Sequence, residues 1–147
     1  MAVYTSIEDL EKRLDPQVLA GLADDVNPVP DIDDALTREI IQQAIGDGGS
    51  LIDSYLLGRV DLSDPLVAAS LERINATLAL YFLYRRRYVD DSLNPLSASR
   101  EAVTSFMEEV ANGRARLGGE PGQPQQAGWS STEDLERVLD RRKLSGF

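Results

Sequence analysis

The sequence contains neither cysteine nor histidine. Without cysteine there is no disulfide framework, no thiolate zinc site and no cysteine nucleophile. Without histidine the commonest general base and metal ligand is gone, along with every Ser-His or Cys-His arrangement. Carboxylates, tyrosines and lysines could still do chemistry, but the expectation is a protein that is not an enzyme. No catalytic, metal-ligating or cofactor-binding residue is assigned. Basic residues are scarce as well: 15 Lys and Arg stand against 25 Asp and Glu, for a formal net charge of −10. Sequence-independent grip on a phosphate backbone rests on clustered cations, so a conventional nucleic-acid binder is disfavoured. Long apolar runs are missing too. The longest, Leu78-Ala79-Leu80-Tyr81-Phe82-Leu83-Tyr84, falls far short of the roughly 20 residues that cross a bilayer. The first residues turn acidic at once and lack the basic-then-apolar pattern of a signal peptide. No membrane association and an intracellular setting are therefore expected.

What remains is ordinary globular material, 42% hydrophobic over 147 residues, enough for one modest core. Its apolar period is helical throughout, and no alternating segment or Asn-Gly or Asp-Gly hairpin turn suggests a strand. The expected fold class is all-α, a small four-helix bundle.

The first helix is expected over residues 6–23. Thr5-Ser6-Ile7-Glu8 has the form of a capping box, and Ile7, Leu10, Leu14, Val18 and Leu22 form one stripe. Pro16 lies inside that stripe and allows a break at Asp15. Residues 24–34 form a connector in which Asn27-Pro28-Val29-Pro30 forbids regular structure. Its five aspartates lack the glycine and terminal glutamate of a calcium loop, so they read as helix caps and solvated charge.

The second helix is expected over residues 35–57, lined by Leu36, Ile40, Ala44, Ile45, Leu51, Ile52, Tyr55 and Leu56, with Gly58 as its cap. Gly46, Gly48 and Gly49 lie within it, each costing about 1 kcal/mol relative to Ala. Either the helix kinks there or another segment comes too close for a side chain. The third helix, over residues 65–88, opens on Asp64-Pro65 and carries Val67, Leu71, Ile74, Leu78, Tyr81 and Phe82. From Leu78 onward it is apolar nearly all round, so it is either central in the fold or shared with a neighbouring chain. Leu80, Tyr81, Leu83 and Tyr84 are the candidates for such subunit packing. Arg85-Arg86-Arg87 closes the helix. The plain reading is three cations on the negative end of the helix dipole, paired with acidic neighbours. The sharper one is a channel, phosphate or partner contact. The fourth helix starts at Pro95 or Ser97 and runs to Arg114, with Asn94 or Ser97 as cap, Ala102, Val103, Phe106, Met107 and Val110 as stripe, and Gly113 as stop.

The organisation read from composition is a helical domain over 1–117, a linker over 118–128 rich in Gly, Pro and Gln, and a C-terminal arm over 129–147. Trp129, Leu135, Val138, Leu139, Leu144 and Phe147 are too many large apolar residues for a solvated end. They are the candidate partner-binding residues, Trp being enriched in interface hot spots. Signatures of phosphate or nucleophile chemistry are missing: Gly46-Asp47-Gly48-Gly49 follows no strand and precedes no Lys-Ser/Thr pair. Glu108-Glu109 and Asp90-Asp91 are sequence neighbours that would diverge on a helix.

Residues 44–59, and above all Ile52-Asp53-Ser54-Tyr55-Leu56-Leu57-Gly58-Arg59 with Leu62 and Pro65, resemble the gp36 family of Mu-like phages. Tyr4 through Leu10 looks like the family's opening helix, Ala102 through Arg114 with Leu117 like its last one, and Arg137 through Phe147 like its C-terminal signature. Glycines stand where the family tends to have Ala or Ser, and Val60 where an aromatic is common. The resemblance implies a head-tail connector, or head-completion, subunit that continues the DNA channel from the portal toward the tail. It implies a homo-oligomeric ring, commonly a dodecamer, located in the virion neck after assembly in the host cytoplasm. The implied partners are further copies of the chain, the portal protein and a tail-side adaptor or stopper, with DNA passing through and not specifically bound. An arm reaching a neighbouring subunit or the portal is likewise implied. The alternative is a helical binding module absent from the virion, such as an assembly chaperone or regulator.

Overall fold

A computed structural model of the protein describes residues 3–58 and 60–118. Among them the structure is entirely helical: α1 (Ile7–Arg13), α2 (Pro16–Ala23), α3 (Ala35–Leu56), α4 (Pro65–Arg85) and α5 (Ser97–Ala111), with a 3-10 turn at Asp91–Leu93. The first expected helix is thus two. Leu14 takes an extended conformation, and Asp15 accepts from the Gln17 N–H to cap a new helix with Pro16 at its first position. The break resets the helical register. Val18 is therefore exposed, and α2 buries Leu19, Ala20, Leu22 and Ala23 instead. The capping box lies one residue later than the Thr5–Glu8 reading: Ser6 caps α1 and its reciprocal partner is Asp9.

The α3–α4 pair forms the spine, joined by a short loop that sets the two helices antiparallel. Two core clusters sit along it. In one, Ile41, Ala44 and Ile45 of α3 meet Ala76, Ala79, Leu80 and Leu83 of α4 beneath α1 and α2. In the other, Ile52 and Leu56 meet Val67, Leu71, Ile74 and Leu78 beneath Met107 of α5 and Leu117. Each fully buried Leu or Ile contributes about 1.5–3 kcal/mol relative to exposure. By length and composition alone α4 is apolar enough to cross a bilayer, with an 18-residue window of mean hydropathy 1.3 that a count of unbroken apolar residues missed. Here 56% of that window is buried in the bundle.

Between the two clusters α3 and α4 come into tight contact. A Cβ on Gly48 would lie 2.6 Å from the Asn75 side-chain amide and 3.2 Å from Leu78 Cβ. Gly48 therefore marks a close approach, and α3 continues unbroken through the glycine run. Asn75 is fully buried. With its amide oriented by its neighbours, Nδ2 donates to the Ile45 carbonyl (3.1 Å) and Oδ1 accepts from the Tyr4 N–H (3.0 Å).

Two helix ends depend on left-handed backbone. Leu57 (φ 50°) and Gly58 (φ 74°) close α3, so the cap itself is Leu57 and not Gly58. At Gly113 (φ 76°) the Gly113 N–H donates to Val110 and the Arg114 N–H to Glu109, a Schellman closure of α5. The start of α5 has no side-chain cap from Asn94 or Ser97. Asn94 is instead buried one turn earlier, donating to the Tyr81 carbonyl and accepting from the Leu96 N–H. Leu36 and Ala102 also depart from the expected stripes. Leu36 is exposed on the first turn of α3, and Ala102 is exposed because α5 packs through Val103, Phe106, Met107 and Val110.

The close approach predicts that Gly48→Ala, ordinarily a helix-stabilising change, lowers stability by about 1–3 kcal/mol through overpacking against Asn75 and Leu78. Equilibrium urea denaturation measures this, and a stability gain would show that the contact is not tight.

Candidate interaction surfaces

The Arg85–Arg87 cluster was the sharpest candidate for a ligand contact. The structure turns two of its members inward, onto the carboxyl end of a different helix from the one they close. Arg86 donates through Nη1 to the Leu22 (2.9 Å) and Ala23 (2.8 Å) carbonyls and through Nη2 to Asp25 (3.1 Å). Arg87 donates to the Gly21 and Asp24 carbonyls, and its Nε lies 3.4 Å from Asp25. Together they satisfy the last carbonyls of α2 and complement its dipole. Cations on a helix end were expected, but on the helix they close. That they serve α2 needed the tertiary structure. Arg85 is exposed beside Tyr81 and Asp91.

The proposed subunit-packing residues are placed just as firmly. Leu80 and Leu83 are buried in the cluster under α1 and α2, and Tyr84 packs half-buried at its edge. Tyr81 is buried and organises the α4–α5 turn: its hydroxyl donates to Asp91 (2.5 Å), its carbonyl accepts from Asn94, and Arg100 lies 5.3 Å over its ring. The Asp91 hydrogen bond, followed by burial, pushes the Tyr81 hydroxyl above the usual tyrosine value. Hydrogen bonds from Tyr81 and Ser97 hold Asp91 below the usual carboxylate value. Of the two readings of this apolar stretch, a position central in the fold is the one seen, and Leu80, Tyr81 and Leu83 offer no free face.

The N-terminal segment forms a clasp that sequence reasoning missed. The Tyr4 hydroxyl donates to Asp53, the Tyr4 N–H to Asn75, and the Thr5 hydroxyl to Glu72 (3.3 Å). Arg13 Nη2 also donates to both Glu72 carboxylate oxygens (3.0 and 2.9 Å). Desolvation, reinforced by Asp53, raises the Tyr4 hydroxyl from 10.0 to about 12. The partners lie 49 and 67 residues away in the chain, beyond any local pattern.

The large apolar side chains left exposed lie mainly at the two ends of the bundle. Leu57, Leu62 and Leu66 surround the α3–α4 loop. Val26, Val29 and Leu36 flank the α2–α3 connector, and Tyr88, Val89 and Leu93 the α4–α5 turn. At the connector end a cleft of about 320 Å³ is lined by Val26, Leu36 and Ile40 together with Asp24, Asp25, Asp34 and Arg86. Of the connector aspartates Asp34 caps a helix, accepting from the Thr37 N–H at the start of α3, while Asp24 and Asp31 accept from N–H groups two or three residues on and close turns in the connector. The arm residues Trp129, Leu135, Val138, Leu139, Leu144 and Phe147, residues 119–128 of the expected linker, and Arg59 lie outside the described residues.

These features define an all-helical protein whose described polar groups mainly cap helices and clasp the bundle, leaving apolar surface at its ends. The family model described as Bacteriophage Mu, Gp36 matches residues 4–133, and the chain belongs to this family of phage proteins. It is 35% identical over 118 residues to the Mu-like prophage FluMu protein gp36 of Haemophilus influenzae, covering 80% of this chain and 77% of that protein. The motif that first suggested the family does structural work here. Ile52 and Leu56 are core, Asp53 holds Tyr4, and Leu57-Gly58 stops α3.

Two outcomes follow. Arg86→Ala leaves the α2 carbonyls without their donor and lowers stability by about 1–2 kcal/mol in a denaturant titration, the partial exposure of the pair reducing its worth. For Tyr4, the folded-state value lies above the unfolded one, so the neutral hydroxyl is favoured by folding. That stability is fully present below pH 10 and is lost as pH rises from 10 toward about 12. Tyr4→Phe should flatten this part of the stability–pH curve, and an unchanged slope would detach it from Tyr4.

Proposed function

We propose that this chain is a structural connector subunit of the phage head, assembling as a ring under the portal and continuing the DNA channel toward the tail. The observation that carries the reading is the pairing of Gp36 family membership with a helical body that keeps large aliphatic side chains exposed at both ends. Such surface on a subunit with a net charge of −10 fits protein neighbours better than a phosphate backbone. With Leu80, Tyr81 and Leu83 inside the chain's own core, ring contacts fall to the bundle ends, where Val89 is fully exposed and Leu57, Leu62 and Leu66 are more than half exposed. The portal and a tail-side adaptor or stopper are the further partners, and the neck of the virion is the location. An acidic channel wall would repel DNA and let it slide. Non-catalytic assembly is the role, with no cofactor invoked.

Native mass spectrometry and electron microscopy of the purified chain, alone and with portal, test the reading. Closed rings, or assembly on portal, are expected, with stoichiometric presence in purified virions. A chain that stays monomeric beside portal, or is missing from virions, overturns it in favour of a chaperone or regulator. Deleting residues 129–147 should leave the helical circular dichroism of the body intact while abolishing docking.

A further inference from the structure

The connector-end cleft has no occupant among the described residues, and its chemistry is specific. Its floor is aliphatic (Ile40 with exposed Val26 and Leu36), and its rim carries three carboxylates, Asp24, Asp25 and Asp34, with the Arg86 guanidinium lining it and Arg87 also reaching Asp25. Asp24 is held below the usual carboxylate value by hydrogen bonds from Asn27 and Val26, which keeps the rim charged. The segment Arg137–Phe147 has the opposite character. Arg137, Arg141, Arg142 and Lys143 stand against Asp140 alone, interleaved with Val138, Leu139, Leu144 and Phe147. It is a cationic, apolar stretch in a chain whose net charge is −10.

We infer that the cleft between the α2–α3 connector and the start of α3 is the acceptor for residues 137–147 of a second copy of this chain. The inference rests on the ring reading above and names its contact. Complementary charge selects the segment, and Val26, Leu36 and Ile40 bury its aliphatic side chains. The described residues end at Gly118, whose backbone lies against Leu66 and Val67 at the first turn of α4. The cleft borders Arg86, just past the other end of that helix. At 1.5 Å per residue along α4, Gly118 and the cleft are about 30 Å apart. A segment that follows Gly118 in one copy and seats in the cleft at the far end of α4 in the next makes a head-to-tail contact, the kind that closes into rings.

The absence of cysteine makes a direct test clean. Full-length Val26→Cys and Ser145→Cys chains, each alone and then mixed, are oxidised under native conditions. Ser145 is chosen because it spares the apolar anchors. Disulfide-linked heterodimers are expected only in the mixture, falling at least tenfold near 1 M salt, where screening shortens to about 3 Å. Val26→Lys/Leu36→Lys, at two exposed positions, should keep the wild-type circular dichroism melt. Added to the Ser145→Cys partner assay through a reporter at Asn27→Cys, it should reduce cross-linking at least tenfold relative to Asn27→Cys alone. No heterodimer, or a link formed only within a chain carrying both cysteines, overturns the inference. Wild-type rings without the cross-link would sink this contact and leave the connector reading standing. Cross-linked pairs without rings would do the reverse.

Discussion

Everything in this fold is arranged about the point where α3 and α4 come too close for a side chain. Gly48 presents bare backbone to Asn75 and Leu78, and the helices approach until a single buried amide can bridge them. Burying an amide is costly unless its hydrogen bonds are met. Here both are, one by the Ile45 carbonyl on α3 and one by the Tyr4 N–H of the N-terminal segment. The same contact therefore fixes helix spacing and seats the chain's beginning on the spine. It also divides the core, with α1 and α2 closing one half and α5 with Leu117 the other.

Polar residues with a functional look turn out to hold other parts of the same chain. Arg86 and Arg87 finish α2, Asp91 and Asn94 hold the α4–α5 turn around Tyr81, and Glu72 joins Thr5 to Arg13. In a chain of short helices many terminal carbonyls and N–H groups need partners, and charged side chains supply them. Among the described residues, what is left for other molecules is the aliphatic surface at the bundle ends and the acid-rimmed connector cleft.

Much of the architecture was legible because its signals are local. Asp15-Pro16, Asp34 and Asp64-Pro65 announce helix starts, Gly58 and Gly113 lie at helix ends, and the stripe from Ile40 to Leu56 follows a helical period. The errors were local readings overruled by position. Val18 lost its place in the stripe because the break at Leu14–Asp15 rotates α2, and Leu36 is apolar yet exposed because none of the described residues covers the first turn of α3. For Gly46 to Gly49 the sequence allowed a kink or a close approach. Choosing between them needed a partner helix in place.

The sequence by itself determined an acidic, all-helical body, its helix ends and the Gp36 likeness, since capping, apolar period and motif act over a few residues. Only the tertiary structure decided which groups are spoken for. Leu80, Tyr81 and Leu83 could equally have faced a neighbour, and Arg86 and Arg87 a phosphate, until α1, α2 and the 3-10 turn came to rest against them. The physical reason is that burial and hydrogen-bond satisfaction depend on residues about 60 positions away, which no local pattern encodes.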